Sequence, residues 1–512
     1  MTASFVTSAK PFLAALIKDS LSSIRPVSRK ASTAYTQGTH VTNGGKLYVA
    51  SVAGTTGTGA GPTAVTGTSV DGTVTWLALG TYSTTDFTNN LYLGVGKTTA
   101  WSNEGSPPSP SLDPLSQKTV KGDLLYLLQL SANDIRLGMI KNVWTTGTIY
   151  SQYDPSVDQT SYPTPNYVVV GGSFVYKCLD NNNGATSTVQ PSGTSASIAE
   201  LADGYVWLYI GTIASQDSTR FTTTNFYPLP ALSGLAQAGS ISTFSNVVTS
   251  AATFTTSDTI VTSVVGDGSG AQAAVRTNTV STAVTVTDMF AAALGTNYSD
   301  AYGIAYKSGA TGTGALVTVN ITSGAISSYT VDVGGSGYAN TNGAIVLLIG
   351  DGTGGAAGAV TVSGGVVTGV ANMTGGTGYT WAKAFVIPGT KGALARAVLA
   401  PLGGHGSNLI EELGAGQVLL SKTLATSLGA YVPVVSPNND FRQLSLISNV
   451  LPFTGSTSNA AIYIGPAHPS YSSPGSLNKY SSGSGNVLYI NNIVSVVHTS
   501  AQEEILKISF TL

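Results

Sequence analysis

Charge is scarce in this chain. Asp, Glu, Lys and Arg together make up 9% of its 512 residues, against roughly 25% in an ordinary soluble protein. The formal net charge is −2. With no basic excess there is no electrostatic footprint for a phosphate backbone, so nucleic acid is not an expected partner. Cysteine is nearly absent: Cys178 stands alone. No internal disulfide can form, and stability has to come from packing or assembly. Cys178 itself reads as a buried small residue, since no histidine lies near it in sequence. Long apolar runs are missing as well. "PFLAALI", residues 11–17, is short for a signal segment, and Lys18 and Asp19 follow without a small-residue cleavage site. Its spacing of Phe12, Leu16, Leu21 and Ile24 predicts a short amphipathic arm. No stretch approaches ~18 consecutive apolar residues, so membrane insertion is not expected.

The residue patterns that carry chemistry are equally sparse. There are four histidines, His40, His405, His468 and His498, and none has the H-E-x-x-H or C-x-x-C company of a metal site. His405 sits in "GGHGS", which reads as a backbone turn. The glutamates in "EEL" (Glu411, Glu412) and "EEI" (Glu503, Glu504) are adjacent, and adjacent strand residues face opposite ways. "GVGKTT" looks like a phosphate loop until Leu91 is found where the motif needs its first glycine; a strand-end turn is the better reading. No G-x-S-x-G elbow occurs. No catalytic residue, cofactor or metal ligand is expected, and an enzyme is not the favoured class. Glycosidase carboxylates can come from distant segments, so a glycan-cleaving enzyme stays as the least favoured alternative.

What the chain does have is glycine, 61 residues of it, with much Ser, Thr, Ala and Val. That composition favours strands joined by tight turns. Apolar residues reach 42% and the mean hydropathy is +0.20, which is wrong for a disordered chain.

Two stretches echo one another. "DGTVTWLALGT" runs from Asp71 to Thr81 and "DGYVWLYIGT" from Asp203 to Thr212. Each is preceded by Gly-Gly, a strand bearing an aromatic (Tyr48, Tyr176) and a polar loop. Asp-Gly supplies a turn, and Trp76 or Trp207 with the tyrosines would form the core of a small β-module. The Asp-to-Trp spacing differs by one residue between the copies, which predicts a bulge in one of them. Tyr35, Tyr48 and Trp76 are candidates for a glycan-stacking platform. They are equally the candidate core, and a module of about fifty residues has few other large apolar side chains to bury, which favours the core.

A second repetition follows. "GGSGY" ends at Tyr338 and "GGTGY" at Tyr379, and a degenerate copy starts near "GDGSGAQAAV", Gly266–Val275. Repeats of about forty residues point to stacked β units that bury a face only against their neighbours.

Several stretches carry a resemblance. "LYLGVGKTTAWSNEGSPPSPS", "NVWTTGTIYSQYD", "VYKCLDNNNGATSTVQPSGTS", "DGYVWLYIGTI" and "GGHGSNLIEELGA" occur in that order. "FRQLSLISNV" and "VLYINNIVSVVHTSAQEEILKISFTL" follow at the C-terminal end. Together they resemble baseplate wedge proteins of contractile-tailed, T-even type bacteriophages. The resemblance covers about residues 84–230 and 400–512. It implies a virion subunit of the tail baseplate, made in the host cytoplasm, without enzymatic activity, that forms a homodimer and assembles with other wedge proteins.

The expectation is therefore a mainly β, multidomain protein of antiparallel sandwiches and β-modules, with a short N-terminal helix and few others. Its parts would be an N-terminal helical arm (1–30), an inserted aromatic β-module akin to carbohydrate-binding modules (31–80), the first part of a wedge-like body (81–235), a Gly/Ala/Val-rich β-repeat insertion (236–400) and the C-terminal part of the body (401–512). The 31–80 module would serve either as an assembly contact or as a weak contact to host glycan. The alternative function is a host-glycan-binding tail adhesin or fibre component. The last strand, from Leu506, alternates apolar and polar residues and would be half buried, with "NVLYINNIVSVV" as a neighbour to pair with.

Overall fold

The computed structural model describes residues 27–35, 39–64, 67–81, 91–195, 197–232, 238–401, 404–406, 409–424, 440–450, 462–467, 480, 483–497 and 504–511. The protein is mostly β, with many antiparallel sheets. Among the described residues there are three α-helices, Pro114–Gly122, Ser215–Phe221 and Leu409–Glu412. None is long and apolar enough to cross a membrane. The expected N-terminal helix falls on residues 1–26, outside the described residues. The last residues of that arm are not helical: Val27–Ser28 is a strand, paired in parallel with Val41 and Thr42.

The chain divides into two compact units. One comprises Met1–Met139, Gln216–Leu229 and Gly416–Leu512, the other Ile140–Ser215 and Pro230–Ala415. The segment 81–235, read above as one piece, is thus split between them, and so is 401–512. Strand pairing joins segments far apart in the chain, and linear composition carries no mark of it.

In the first unit, a five-stranded sheet runs Val27–Ser28, His40–Asn43, Lys46–Val52, Val74–Thr81, Thr68–Asp71. A second five-stranded sheet runs Ile462–Ile464, Leu124–Gln129, Leu91–Gly96, Asp440–Ser448, Asn486–Val497. Its central strand Leu91–Gly96 is apolar on both faces, as a continuously buried strand requires: all of it is buried. The helix that follows begins cleanly because Asp113 accepts hydrogen bonds from the Leu115 and Ser116 amides and Pro114 occupies the first turn. The last strand, Glu504–Thr511, pairs antiparallel with Gln417–Leu424 over eight positions, Thr511 opposite Gln417 and Glu504 opposite Leu424. The terminus is pinned in a sheet, with Lys507 and Ser509 facing solvent. Its expected neighbour is elsewhere: "NVLYINNIVSVV" pairs with Asp440–Ser448 instead.

In the second unit, the strands Tyr167–Val170, Phe174–Asp180, Val206–Thr212 and Ala199–Glu200 form one sheet. The β-repeat region contains three hairpins: Ser269–Val280 with Ala283–Thr296, Thr313–Thr322 with Ala325–Ser336, and Thr353–Ser363 with Val366–Thr377. The stretch taken as a degenerate copy is a full one. Each hairpin ends on a buried tyrosine, Tyr298, Tyr338 or Tyr379. That ring lies where a side chain on Gly268, Gly312 or Gly352 would have to go, so glycine at the hairpin entrance is a packing requirement. Asp267 and Asp351 tie the entrance to the residues after the tyrosine: Asp267 accepts from the Ser299 amide and Asp351 from the Thr380 amide, both at 2.9 Å. The middle copy has Thr311 at that position. The loss of this aspartate and of the Gly-Tyr pair in different copies is why the sequence pattern looks broken.

Candidate functional site

Tyr35, Tyr48 and Trp76 come together, but inward. Tyr48 and Trp76 are 0% exposed and Tyr35 is 9% exposed. They form one cluster with Val41, Ala50 and Val74. The Tyr35 ring meets Trp76 edge to face at 5.2 Å. A sugar-stacking platform needs an open ring face, and this cluster presents none, so the three glycan-stacking candidates stand as core residues of the module. The module is small, and these rings supply most of what it can bury.

The second module repeats this geometry. Tyr150 meets Trp207 edge to face at 5.4 Å. Trp76 stands opposite Ala50, and Trp207 opposite Cys178. The tyrosine hydroxyl accepts the amide of Lys30 in one copy and of Thr145 in the other. Tyr48 and Tyr176 each donate a hydroxyl hydrogen bond to a loop carbonyl, at Ala64 and Gly193. Both copies shift register at matching places, between Leu47 and Tyr48 and between Val175 and Tyr176. The difference in Asp-to-Trp spacing is therefore not an extra bulge in one copy. The Asp71 turn closes between Asp71 and Val74, whereas the other closes between Glu200 and Val206, and this longer loop absorbs it.

The polar constellation with the richest chemistry lies in the second unit, around the histidine read as a turn residue. His405 Nδ1 is 2.6 Å from Glu412 Oε1, and its Nε2 is 2.7 Å from Ser242 Oγ. Lys177 Nζ donates to the same Glu412 oxygen at 2.9 Å, and the Gly406 amide donates to Glu412 Oε2 at 2.5 Å. Ser242 comes from the strand Ile241–Thr249, Lys177 from Phe174–Asp180 and Glu412 from the short helix Leu409–Glu412. The Tyr153 ring stands edge-on to His405 at 4.9 Å, and Lys177 Nζ lies 4.2 Å from its centroid on the ring face.

Burial pushes the Glu412 carboxyl up, but the His405 hydrogen bond and the Lys177 charge outweigh it, and its pKa falls to about 2. Burial pushes His405 down, against the pull of Glu412. Glu412 is thus the anion and His405 the neutral ring. His405 donates from Nδ1 to Glu412 and accepts the Ser242 hydroxyl at Nε2. The order serine, histidine, carboxylate is that of an activated nucleophile. A nucleophile also needs a face open to substrate. Ser242 and His405 are each 1% exposed, so the chain of bonds is sealed. What it does is fasten His405 and the Leu409–Glu412 helix to two strands.

A second charge cluster, partly buried, centres on Arg276. Arg276 Nη1 donates to Asp180 at 2.6 Å and also to Asp288, its Nε donates to Glu200 at 3.0 Å, and its guanidinium lies over the Phe290 ring. It ties the first hairpin to the second module. Among the described residues no group of three or more His, Cys, Asp or Glu could hold a metal ion.

Sequence reasoning missed the Ser242, His405, Glu412 and Lys177 set because its members are dispersed. Only the seven-residue separation of His405 and Glu412 was visible, and it matches no motif. No protein-family model matches the chain, and no curated protein matches it.

Proposed function

We propose that the protein is a structural subunit of a contractile phage tail baseplate, a wedge component that forms a homodimer and assembles with other wedge proteins in the virion. One observation carries this reading. The stretches that resemble wedge proteins are scattered along the chain, yet within each unit they are spatial neighbours. Leu91–Gly96 from "LYLGVGKTT" lies beside the Asp440–Ser448 strand of "FRQLSLISNV", which lies beside Asn486–Val497. In the other unit, "VYKCLD" pairs with "DGYVWLYIGTI", and its Lys177 binds Glu412 of "GGHGSNLIEELGA". Stretches of one ancestral body are expected to share cores in this way, with insertions leaving those cores intact. Two further features support a structural role over an enzymatic one: the catalytic-looking set is closed to solvent, and the aromatic clusters are buried. The adhesin reading loses the platform it relied on at Tyr35, Tyr48 and Trp76.

The mechanical part of the role is by analogy with the family alone. A wedge holds one arrangement before contraction and another after it, which requires interfaces with two alternative packings. Electron cryomicroscopy of intact tails tests the proposal. Density for this chain in the baseplate, as two copies in contact, is the expected outcome. Location at a fibre tip, or a monomer by light scattering that ignores wedge partners, would overturn it.

A further inference from the structure

Outside the sealed cluster, the second unit holds an open cavity of about 530 Å³. Its wall includes a cation with no acidic partner. Arg396 is exposed, its guanidinium lies 5.0 Å from the centroid of the Trp381 ring, and among the described residues no carboxylate pairs with it. Stacking on an indole holds a guanidinium flat and leaves its N–H edge free for a ligand.

The backbone opposite is irregular at the same point. Ser245 pairs with Arg396 and Val248 with Leu394, so Asn246 and Val247 bulge against Ala395 alone. Asn246 takes a left-handed φ of 55°, which asparagine adopts more readily than other residues with a side chain. The bulge turns Asn246 onto the cavity wall beside Ser245 and Ser299.

Two carboxylates complete the lining, Asp154 and Asp300. Asp154 Oδ1 accepts from Ser156, and Asp300 Oδ2 is bound by Lys383. A carboxylate is an acceptor only. The Tyr302 hydroxyl bonds Asp300 as well. As acceptors, the two carboxylates suit ligand hydroxyls and disfavour a ligand that is anionic throughout, while Arg396 calls for one planar anion that can take two parallel hydrogen bonds.

We propose that this cavity binds a carboxylate-bearing saccharide. Arg396 grips the carboxylate, Asn246 and the serines bridge ring hydroxyls, and Asp154 and Asp300 accept from the hydroxyls at the far end. The site is independent of the baseplate reading and of the aromatic modules.

The test is titration of the full-length chain with glucuronate, glucose and inorganic phosphate, followed by calorimetry and ligand-observed NMR. Three variants accompany it: Arg396→Gln, Arg396→Lys, and Asn246→Gly, which keeps the left-handed backbone. Circular dichroism checks that each is folded. Glucuronate should bind in preference to both other probes. Arg396→Gln should weaken it by roughly tenfold or more, the scale of a lost charged hydrogen bond, and Arg396→Lys by less. Asn246→Gly should weaken glucuronate and glucose alike. Equal binding of glucuronate and glucose, phosphate matching glucuronate, no glucuronate binding, or glucuronate binding unchanged in a folded Arg396→Gln chain would each overturn the proposal.

Discussion

Where the first module has Arg29, the second has Trp144. Each residue donates its amide to the neighbouring strand, at Thr42 and Val169 respectively, so the two stand at the same point of the same chain path. From there the polar bonding diverges. Arg29 reaches Asp71 through Nε and Nη2 at 2.8 and 2.7 Å, and Asp71 also accepts the Trp76 indole at 3.2 Å. In the second module Asp203 accepts the backbone amides of Thr188 and Val189 and the Ser187 hydroxyl, while the Trp207 indole nitrogen has no hydrogen-bond partner among the described residues. The aromatic core is common to both modules, and the polar bonds around it are interchangeable. Ring packing needs one geometry, whereas a carboxylate can be satisfied by a guanidinium or by amides.

The largest effect should come from the shared element. Trp76→Ala and Trp207→Ala should each destabilise their module by ~3–5 kcal/mol, read by hydrogen exchange of the strands on either side. If only one module loosens, the equivalence of the two cores is broken.

Next comes a feature the second module has alone. Lys177→Met leaves the Glu412 carboxylate buried with its cation removed, at a cost of ~3 kcal/mol. The same cluster predicts a pH dependence. Burial lowers the His405 pKa in the folded state, so the unfolded chain binds the proton more readily. Stability is then full above the ordinary histidine value of about 6.5 and declines as pH falls below it. A melting temperature that stays flat from pH 7.5 to 5.5 would contradict this.

The aspartates separate the modules by a smaller amount. Burial raises Asp71, but Arg29, the Gly57 amide and the Trp76 indole hold it below the ordinary aspartate value. Asp203 is held low by the Val189, Thr188 and Tyr205 amides against the same burial effect. With both carboxyls depressed in the folded state, their contribution is present above about pH 3.9 and is lost as acid titrates through the lower folded values. Asp71→Asn should cost its module about 1.5–3 kcal/mol and strand Arg29. Asp203→Asn should cost less, because its amide oxygen still accepts from backbone. Equal losses in urea titrations followed by exchange would remove the distinction.

The smallest contrast lies in the turns. Gly72 and Gly204 both have positive φ, 68° and 81°. A methyl on Gly72 would collide with the Thr55 carbonyl, whereas on Gly204 it would meet the Asn182 side chain. Gly204→Ala should cost about 1 kcal/mol for the backbone conformation, and Gly72→Ala measurably more because backbone cannot yield as a side chain does.

The sequence by itself determined the local and repetitive features. Glycine-rich alternation dictated strands. The echo around Trp76 and Trp207 dictated two like modules, since a tryptophan, a tyrosine and an Asp-Gly turn at matched spacing have one compact way to pack. The alternation from Leu506 announced a strand whose partner it could not name. Only the tertiary structure decided which distant strands pair, which side of a tyrosine faces inward, and that Ser242, Lys177, His405 and Glu412 meet at all. Those outcomes depend on non-local pairing, where the free energy comes from burial and bonding between segments 235 residues apart and more. A short window of sequence holds only one side of each such contact. The bulge that sets Asn246 beside the Arg396 cavity is of the same kind: it exists only once two strands of unequal length are aligned.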